Sequence, residues 1–396
     1  MYIAILGRQP AISIAELERL YGGVSWFSDT TATVEADRIN VQNLGGTQKI
    51  GQVIAQLPNG DWRKASMKIV THYAKEWAKY EGKITLGISA YGFEDTDIRD
   101  IQKTGLILKT KLKATTASLR LIPNQESALS TATSHHNKLG LSDNKIELLV
   151  VRGRRGIIIA ESRGAQNITA LAARDQGRPK RDAFVGMLPP KLAQIMINLA
   201  NLEKGRILDP FCGTGVILQE ALLMGYDVFG SDLSEKMVSY TQANITWLAE
   251  QNPHAVKGLA AEYAVGDAAT TIWKSLESGT SKDLVIDAVV AETYLGQPFS
   301  APPSSGKLTE VRGNCNHIIS LFLKNIGAQL KSGTPLVLAV PAWRDTEGRF
   351  THLPFINALE KLGYQQVEFN TVNSEQLLYF RPDQVVAREL LVLTKI

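Results

Sequence analysis

The residues best suited to chemistry lie in the segment Ile207–Gly215, which reads ILDPFCGTG. Gly213 and Gly215 let the backbone turn tightly and approach a ligand without a clash of Cβ atoms. A helix is predicted directly behind them, and the first N–H groups of a helix are free to bind a ligand. Asp209 precedes the turn, where a carboxylate suits a cation and would repel a pyrophosphate. This segment therefore predicts a loop that binds a ligand carrying positive charge.

Two further acids follow the next two predicted strands. Asp232 lies 17 residues beyond Gly215, where an acid can accept both hydrogen bonds of a ribose diol. Asp267 follows the third strand and could accept a hydrogen bond from an adenine amino group. Because the carboxyl ends of parallel strands meet at one edge of a sheet, these acids predict a nucleoside-binding crevice.

The type of nucleoside follows from what the glycine loop lacks. Leu218 occupies the position where the dinucleotide fingerprint G-x-G-x-x-G/A requires Gly or Ala. Together with Asp209, this disfavours a nicotinamide oxidoreductase, which stays an alternative, as does a glycine turn without a ligand. The predicted cofactor is S-adenosylmethionine, whose α-ammonium group would suit Asp209.

Two longer segments resemble a known family. DPFCGTG, followed by ILQEALLMGYDVFGSD, resembles motifs I and II of class I S-adenosylmethionine-dependent methyltransferases. RDQGRPKRDAFVGMLPPKLAQIMINLA is similar to the linker and first helix of THUMP-domain RNA methyltransferases, in particular the tRNA guanine-10 N2-methyltransferase family. SALSTATSHHNKL resembles the core of the THUMP domain, and VVARELLVL resembles the family's last strand. The resemblance implies an α/β, Rossmann-like class I methyltransferase domain at the C-terminus, preceded by a ferredoxin-like α+β region and a THUMP domain.

The resemblance also implies which residues bind the cofactor. Asp209, Gly213 and Gly215 would hold the methionine part and form the turn, while Asp232 would hold the ribose and Asp267 the adenine. The segment Met187-Leu188-Pro189-Pro190 would lie against the methionine end. Within that segment, the resemblance implies that Met187 and Pro189 bind the cofactor. It also implies cofactor binding by Phe211, Leu233 and Ala268.

The acceptor motif departs from the family. Where the family has Asp-Pro-Pro-Tyr after the fourth strand, this chain has AETYLG over residues 291–296. Alignment on the glycine places Glu292 on the Asp and Leu295 on the Tyr, whereas alignment on Tyr294 would place Ala291 on the Asp. The first alignment is preferred because it keeps a carboxylate in place.

That carboxylate matters because the exocyclic amine of guanine is a poor nucleophile. A carboxylate and a backbone carbonyl can orient its N–H bonds, and an aromatic ring can stack on the flipped base. The predicted catalytic residues are therefore Glu292, Thr293 and Tyr294. Cys212 has no base nearby in sequence, and a catalytic thiolate is disfavoured.

The resemblance thus implies an RNA methyltransferase, most specifically one that methylates the N2 amine of a guanosine in tRNA. The alternatives are methylation of rRNA or of another base amine, and a non-catalytic THUMP RNA-binding protein with a degenerate motif. The predicted domains are a ferredoxin-like region at 1–60, a THUMP domain at 61–165, a linker at 166–185 and the methyltransferase domain at 186–396.

Secondary structure is predicted from hydrophobic patterning. From Arg206 onward, strands and helices alternate, which indicates a parallel doubly wound sheet with an antiparallel pair at Tyr364–Asn370 and Glu389–Thr394. A strand is also predicted at Leu284–Ala291. Near the N-terminus, Ser13 and Glu16 have the spacing of a capping box for a helix over Ser13–Tyr21. Ala128–Ser130 is predicted as a short strand.

Charge is unevenly distributed along the chain. The net charge is +4, yet residues 61–181 hold 22 Lys and Arg against 12 Asp and Glu. Such a basic middle region indicates either a polyanion partner or a solvated basic surface without a ligand. The resemblance implies that the partner is tRNA or another structured RNA. The predicted RNA contacts are Arg152, Arg154, Arg155, Arg174, Arg178, Lys180 and Arg181.

Composition limits the class of protein. Two cysteines in 396 residues exclude a disulfide framework and fit a cytoplasmic compartment. The six histidines show no metal-ligand spacing, so no metal site is predicted. No signal peptide, membrane helix or obligate protein partner is expected from the sequence.

Overall fold

The computed structural model describes residues 1–182, 188–275 and 282–396. Its contacts divide the chain into two units, Met1–Ala170 and Leu171–Ile396. Helix α5, Ile168–Gln176, runs across the division and lies entirely within the predicted linker at 166–185. Within the described ranges, none of the helices is both long and apolar enough to cross a bilayer.

The first unit is built on an eight-stranded sheet with strand order β2-β3-β1-β4-β8-β7-β5-β6. Its elements are β1 Tyr2–Leu6, α1 Pro10–Tyr21, β2 Val24–Ser28, β3 Thr31–Val34, β4 Thr47–Leu57, α2 Trp62–Glu76, β5 Gly82–Tyr91, α3 Ile98–Lys111, β6 Ala117–Leu121, α4 Thr131–His136, β7 Lys145–Gly153 and β8 Gly156–Ala165. Strand β4 pairs with both β1 and β8, so the sheet continues across residue 60. The predicted division into domains at 1–60 and 61–165 stays a prediction.

The predicted capping box in α1 is wrong. The helix begins at Pro10, and Ser13 and Glu16 are buried within it. The Ser13 hydroxyl donates to the carbonyl oxygen of Gly46 at 2.7 Å. The Glu16 carboxylate accepts from the backbone N–H groups of Gly45 and Gly46, both at 2.8 Å. These residues therefore hold a distant loop, a tertiary role that their local spacing does not reveal.

The predicted strand at Ala128–Ser130 is also wrong. Leu129 lies in a loop, and its carbonyl oxygen accepts a hydrogen bond from the buried Lys49 ammonium group at 2.7 Å. Lys49 also forms an ion pair with the buried Glu147, with 2.5 Å between Nζ and Oε1. The Ser89 hydroxyl donates to the same oxygen at 2.6 Å, so this loop is fixed by a buried polar network.

The second unit is a mixed sheet flanked by helices. Its elements are α6 Pro190–Ala200, β9 Arg206–Asp209, α7 Val216–Leu223, β10 Asp227–Asp232, α8 Glu235–Gln251, β11 Ala261–Val265, β12 Lys274–Ser275, β13 Lys282–Asp283, β14 Ala288–Glu292, α9 Ser305–Gly327, β15 Pro335–Arg344, β16 Phe350–Thr351, β17 Tyr364–Gln366, β18 Leu378–Tyr379 and β19 Val386–Lys395. The main sheet has the order β11-β10-β9-β14-β15-β19-β17, with β16 on β15 and β18 on β19.

The Rossmann-like prediction for this unit is confirmed. Strands β11, β10, β9, β14 and β15 are parallel, while β19 is antiparallel to both β15 and β17. The inner strands are apolar runs buried on both faces, as in VVA of β14 and LVLAV of β15. This arrangement places the carboxyl ends of the parallel strands along one edge, where open α/β sheets bind ligands.

Several elements of this unit differ from the sequence-based expectation. Strand β17 covers Tyr364–Gln366 instead of the predicted Tyr364–Asn370. Strand β14 covers only Ala288–Glu292, shorter than the predicted Leu284–Ala291. Helix α9 was not predicted; Gly306 and Gly313 lower its helix propensity. Its apolar face, which includes Val311, is buried in the core, so tertiary packing stabilises the helix.

Candidate active site

A cleft of about 910 Å³ lies at the carboxyl ends of β9, β10, β11 and β14, wholly within the second unit. Most of the predicted cofactor and catalytic residues line it. They are Asp209, Phe211, Gly213, Asp232, Leu233, Asp267, Ala268, Glu292, Thr293 and Tyr294. The structure thus brings together residues that the sequence spreads over 86 positions.

Two of the predicted cofactor residues with described positions, Gly215 and Pro189, do not line the cleft. Gly215 is the N-cap of α7, with a left-handed φ of 79° that favours glycine. Pro189 is the N-cap of α6, and its neighbour Leu188 lines the cleft instead. Met187 lies outside the described residues.

Asp209 is the most buried acid of the cleft, with 2% of its surface exposed. The backbone N–H of Phe211 donates to its Oδ1 at 3.1 Å. Burial raises the pKa of Asp209 well above its usual range, and the nearby charges of Asp232 and Glu292 raise it further. The uncompensated carboxylate is thus suited to a ligand that brings a positive charge.

Asp232 connects the end of β10 to the glycine loop. Its Oδ2 accepts from the backbone N–H of Gly213 at 3.0 Å, and its Oδ1 accepts from that of Ser234 at 2.9 Å. Ser234 is the N-cap residue of α8, but its side chain makes no capping hydrogen bond. The fixed carboxylate keeps lone pairs on both oxygens that can accept hydroxyl groups.

The rim of the cleft near β11 combines an acid with an apolar side chain. Asp267 is exposed, and its Oδ1 accepts from the backbone N–H of Ala269 at 2.9 Å. Leu233, directly after Asp232, has 74% of its surface exposed. An exposed leucine beside hydrogen-bonding acids offers an apolar surface for a flat ring.

On the opposite side, the segment after β14 is held rigidly without prolines. The Thr293 hydroxyl and backbone N–H both donate to the carbonyl oxygen of Ala339, at 3.1 and 3.0 Å. Gly296 adopts a left-handed φ of 79°, and a Cβ there would approach Val311 to 2.9 Å. Tyr294 is 44% exposed at the cleft. Thr293 is thus a fixed strand end, and Tyr294 presents an aromatic ring.

Glu292 is ion-paired rather than isolated. The Nε–H of Arg388, on β19, donates to Glu292 Oε1, and both side chains are largely buried. Burial raises the pKa of Glu292, whereas the guanidinium group of Arg388 lowers it. Arg388 lies 96 residues away in sequence, and no local signal identifies it.

Cys212 belongs to the glycine loop itself and is buried. Burial raises the pKa of its thiol well above the usual value, and the charges of Asp209 and Asp232 raise it further. The Thr241 hydroxyl lies 3.6 Å from its sulfur. This environment stabilises the neutral thiol and opposes a nucleophilic thiolate.

Sequence reasoning also missed Asn244 of α8, which is fully buried. Its Oδ1 accepts from the backbone N–H of Lys180 at 2.9 Å, and its Nδ2 donates to the Lys180 carbonyl at 2.9 Å and to that of Thr214 at 2.8 Å. The sequence shows only an asparagine within a predicted helix. Its burial, which implies hydrogen-bond partners, becomes visible only in the structure. Asn244 fixes the connector before α6 to the glycine loop.

We expect Asn244→Ala to lower the free energy of unfolding by about 2 kcal/mol, because it leaves buried backbone groups without partners. Urea unfolding followed by circular dichroism would measure this loss. The matched control is Asn252→Ala at the C-cap of the same helix, where the side-chain amide donates to the Leu248 carbonyl at 3.2 Å. Equal losses in the two variants would contradict the role assigned to Asn244.

An unpredicted ion pair, Lys236 with Asp182, also lines the cleft. Lys236, in the first turn of α8, forms an ion pair with Asp182 at 2.9 Å. Its ammonium nitrogen lies 5.3 Å from the centre of the Tyr240 ring. Asp182 stands at the end of the basic segment RPKRD, where the surrounding cations mask the signal of a single acid.

The predicted RNA-contacting residues of the first unit differ in availability. Arg152 donates to both oxygens of Asp95, at 2.8 and 3.2 Å, and to the Gly92 carbonyl at 2.6 Å. Arg154 and Arg155 are exposed at the β7–β8 turn. Arg154 approaches Asp29 at 3.8 Å. Arg152 therefore stabilises its own loop, while Arg154 and Arg155 face solvent.

The predicted RNA-contacting residues of the connector also divide into two groups. Arg174 makes two hydrogen bonds to the buried Glu220, at 2.5 and 2.9 Å. Arg178 is 3% exposed, its guanidinium nitrogens have no hydrogen-bond partner among the described residues, and burial lowers its pKa. Lys180 and Arg181 are exposed. Burial thus removes Arg174 and Arg178 from the solvent-facing cations.

Residues 1–182, 188–275 and 282–396 contain no group of three or more His, Cys, Asp or Glu side chains arranged to hold an ion.

Comparison with known proteins finds methyltransferases that are similar to part of this chain. Residues 178–263 match the family described as an RMKL-like methyltransferase domain. The chain is 32% identical over 176 residues to the tRNA (guanine(10)-N2)-dimethyltransferase of Methanothermobacter thermautotrophicus, covering 44% of this chain and 45% of that protein. It is 36% identical over 115 residues to the enzyme of the same name from Pyrococcus abyssi, covering 28% and 32%. Each match spans less than half of the relative's own length.

A solved structure shares the fold over the whole chain. The crystal structure of TrmN from Thermus thermophilus matches with a TM-score of 0.52 at 16% identity. The match covers 100% of this chain and 99% of that one. At this identity, the likeness bears on the fold alone.

Proposed function

We propose that the chain is an S-adenosylmethionine-dependent methyltransferase that methylates the exocyclic N2 amine of a guanosine in tRNA. The observation that carries the proposal is the cleft that brings Asp209, Asp232 and Glu292 together beside the glycine loop. The matches to two tRNA (guanine(10)-N2)-dimethyltransferases supply the acceptor class.

The cofactor half of the cleft fits S-adenosylmethionine. Asp209, an acid whose buried charge lacks a cation, would hold the α-ammonium group. Asp232 would accept the ribose hydroxyls, and Asp267 the adenine amino group, with the exposed Leu233 against the ring. When bound, S-adenosylmethionine supplies an electrophilic methyl group on a positively charged sulfur. Phe211, Gly213 and Ala268 complete this half, with Met187 and Pro189 kept as proposals from the sequence.

The acceptor half fits an aromatic amine. The Glu292 carboxylate accepts an N–H of the amine and orients its lone pair toward the methyl group. Tyr294 presents an exposed ring that can stack on a base flipped out of the RNA. Thr293 fixes the backbone between them through its two hydrogen bonds to Ala339. These contacts replace the rigidity that the two prolines of Asp-Pro-Pro-Tyr would provide.

We further propose that the first unit comprises a ferredoxin-like region and a THUMP domain that bind the RNA. The excess of Lys and Arg in residues 61–181 supports this assignment through electrostatic attraction to phosphate. Arg154 and Arg155 of this unit, together with Lys180 and Arg181 of the connector in the second unit, are the exposed candidates for phosphate contact. Because tRNA is the proposed substrate, the proposed compartment is the cytoplasm.

The test is transfer of a labelled methyl group from S-adenosylmethionine to total tRNA, followed by nucleoside digestion. We expect label in N2-methylated guanosine. Unmodified ribosomal RNA is the parallel substrate, and label found only there would replace tRNA as the acceptor. Label in another nucleoside would retain the enzyme and discard the guanine amine. Cofactor binding without transfer to either RNA would favour a non-catalytic RNA-binding protein.

A further inference from the structure

The ion pair between Arg388 and Glu292 lies behind the acceptor half of the cleft. Arg388 belongs to β19, opposite Pro341 of β15, near the edge of the sheet where the cleft lies. Its side chain is 10% exposed and that of Glu292 is 15% exposed. Glu292 lines the cleft but Arg388 does not. The guanidinium group therefore reaches the site only through the carboxylate that it binds.

Two charged groups act on the Glu292 carboxylate among the described residues. Arg388 contacts it from β19, and Asp209 repels it from β9 on the other side of β14. From β15, the register partner of Glu292 is the uncharged Ala339. The Oε1 atom accepts from Arg388, while Oε2 has no hydrogen-bond partner in the described ranges. The contact thus holds one oxygen and leaves the other able to accept a hydrogen bond.

We propose that Arg388 is a positioning residue for methyl transfer, which holds Glu292 anionic and oriented so that its second oxygen accepts the N–H of the acceptor amine. The inference rests on the proposed function. It assigns the pre-organisation of the motif to an ion pair with a strand 96 residues away.

The need for such a partner follows from the surroundings of Glu292. Burial raises the pKa of this carboxyl group, and Arg388 is the group that lowers it. Asp209 lies close enough for the two carboxylates to repel each other. Without Arg388, Glu292 would hold its proton to higher pH and would lose the contact that fixes its direction.

The first experiment compares wild type, Arg388→Met and Arg388→Lys in methyl transfer with saturating S-adenosylmethionine. We expect Arg388→Met to lower kcat by about ten- to a hundredfold at neutral pH, because the carboxylate is misplaced and more often protonated. The acidic limb of its pH–rate profile shifts to higher pH, and activity partly recovers as the pH rises. Arg388→Lys keeps the positive charge, so the acidic limb of its pH–rate profile lies between those of wild type and Arg388→Met. Cofactor affinity measured by calorimetry stays unchanged.

The matched control is Arg206→Met. Arg206 forms a comparably buried ion pair with Glu262 at 3.2 Å, at the amino end of the same sheet and outside the cleft. The Arg206→Met variant measures how much activity is lost when a buried arginine is removed and Glu292 is unchanged. A loss of activity in Arg388→Met that is independent of pH and equal to that in Arg206→Met would overturn the proposal.

A second measurement does not depend on the RNA. The titration of Glu292 can be followed by NMR in protein with 13C-labelled glutamate carboxyl groups, assigned by the signal missing in Glu292→Gln. We expect the signal to titrate at higher pH in Arg388→Met than in wild type. Identical titration in the two proteins would overturn the proposal. Failure of wild type to methylate any RNA would overturn the proposed function, but the titration of Glu292 could still be interpreted.

Discussion

In Asp209→Asn, S-adenosylmethionine binds about 10- to 150-fold more weakly than in wild type, the loss expected for one hydrogen bond to a charged group. Asparagine keeps the Oδ1 atom that accepts from Phe211, so the loop is preserved. What it removes is the negative charge that would face the α-ammonium group. Isothermal calorimetry with S-adenosylmethionine measures the change directly.

The same substitution has an opposite effect on the free protein. Burial and two nearby carboxylates raise the pKa of Asp209 in the folded chain above its unfolded value. The folded state therefore binds this proton more tightly, and the associated stability is lost as the pH rises through the folded pKa. We expect Asp209→Asn to melt at the same or a higher temperature than wild type near neutral pH. Added S-adenosylmethionine should raise its melting temperature less than it raises that of wild type.

The pH dependence of binding follows from the same shift. Wild-type affinity for S-adenosylmethionine falls as the pH falls through the raised pKa of Asp209, because the protonated acid cannot pair with a cation. Asp209→Asn loses this dependence. The control is Asp227→Asn, whose carboxylate accepts from the Ala260 N–H at 2.8 Å at the other end of β10. Equal loss of affinity in the two variants would contradict the assignment.

Glu292→Gln has the second large effect, on turnover rather than on cofactor binding. We expect kcat to fall by about a hundred- to a thousandfold, as for the loss of one pre-organised polar contact at a reacting centre. The amide is almost the same shape and can still accept from Arg388. Its NH2 group donates where the carboxylate accepts, so it no longer orients the amine.

The measurement is single-turnover methyl transfer at saturating cofactor, with the product nucleoside identified in each case. Glu262→Gln, which alters a carboxylate of the ion pair with Arg206, is the control and keeps wild-type turnover. A Glu292→Gln enzyme with full activity would show that the carboxylate does not orient the acceptor. The backbone carbonyls after β14 would then be the remaining acceptors.

The cofactor half of the site can be predicted from local sequence patterns. Asp209, Asp232 and Asp267 each lie at the carboxyl end of a strand in a β-α-β alternation, and parallel strands end at the same edge. The alternation therefore implies that the three acids lie close together. The glycine loop is predictable for a similar reason, because its turn depends on residues adjacent in sequence.

Local patterns mislead where side chains serve distant partners. Ser13 and Glu16 have capping-box spacing but bind the loop at Gly45 and Gly46. Arg174 belongs to a basic segment, yet its charge is neutralised by Glu220, 46 residues later. Sequence composition gives the sign of a charge but not its burial, and burial decides whether it faces solvent or a partner.

The acceptor half of the site depends on long-range contacts. The segment AETYLG lacks the prolines of the family motif, and its sequence alone predicts a less rigid loop. The structure holds it through the carbonyl of Ala339 on β15 and through Arg388 on β19. Ala339 reaches Thr293 because β15 pairs in parallel with β14, and Arg388 reaches Glu292 because β19 enters the sheet antiparallel beside β15. Short-range sequence patterns do not encode these long-range pairings.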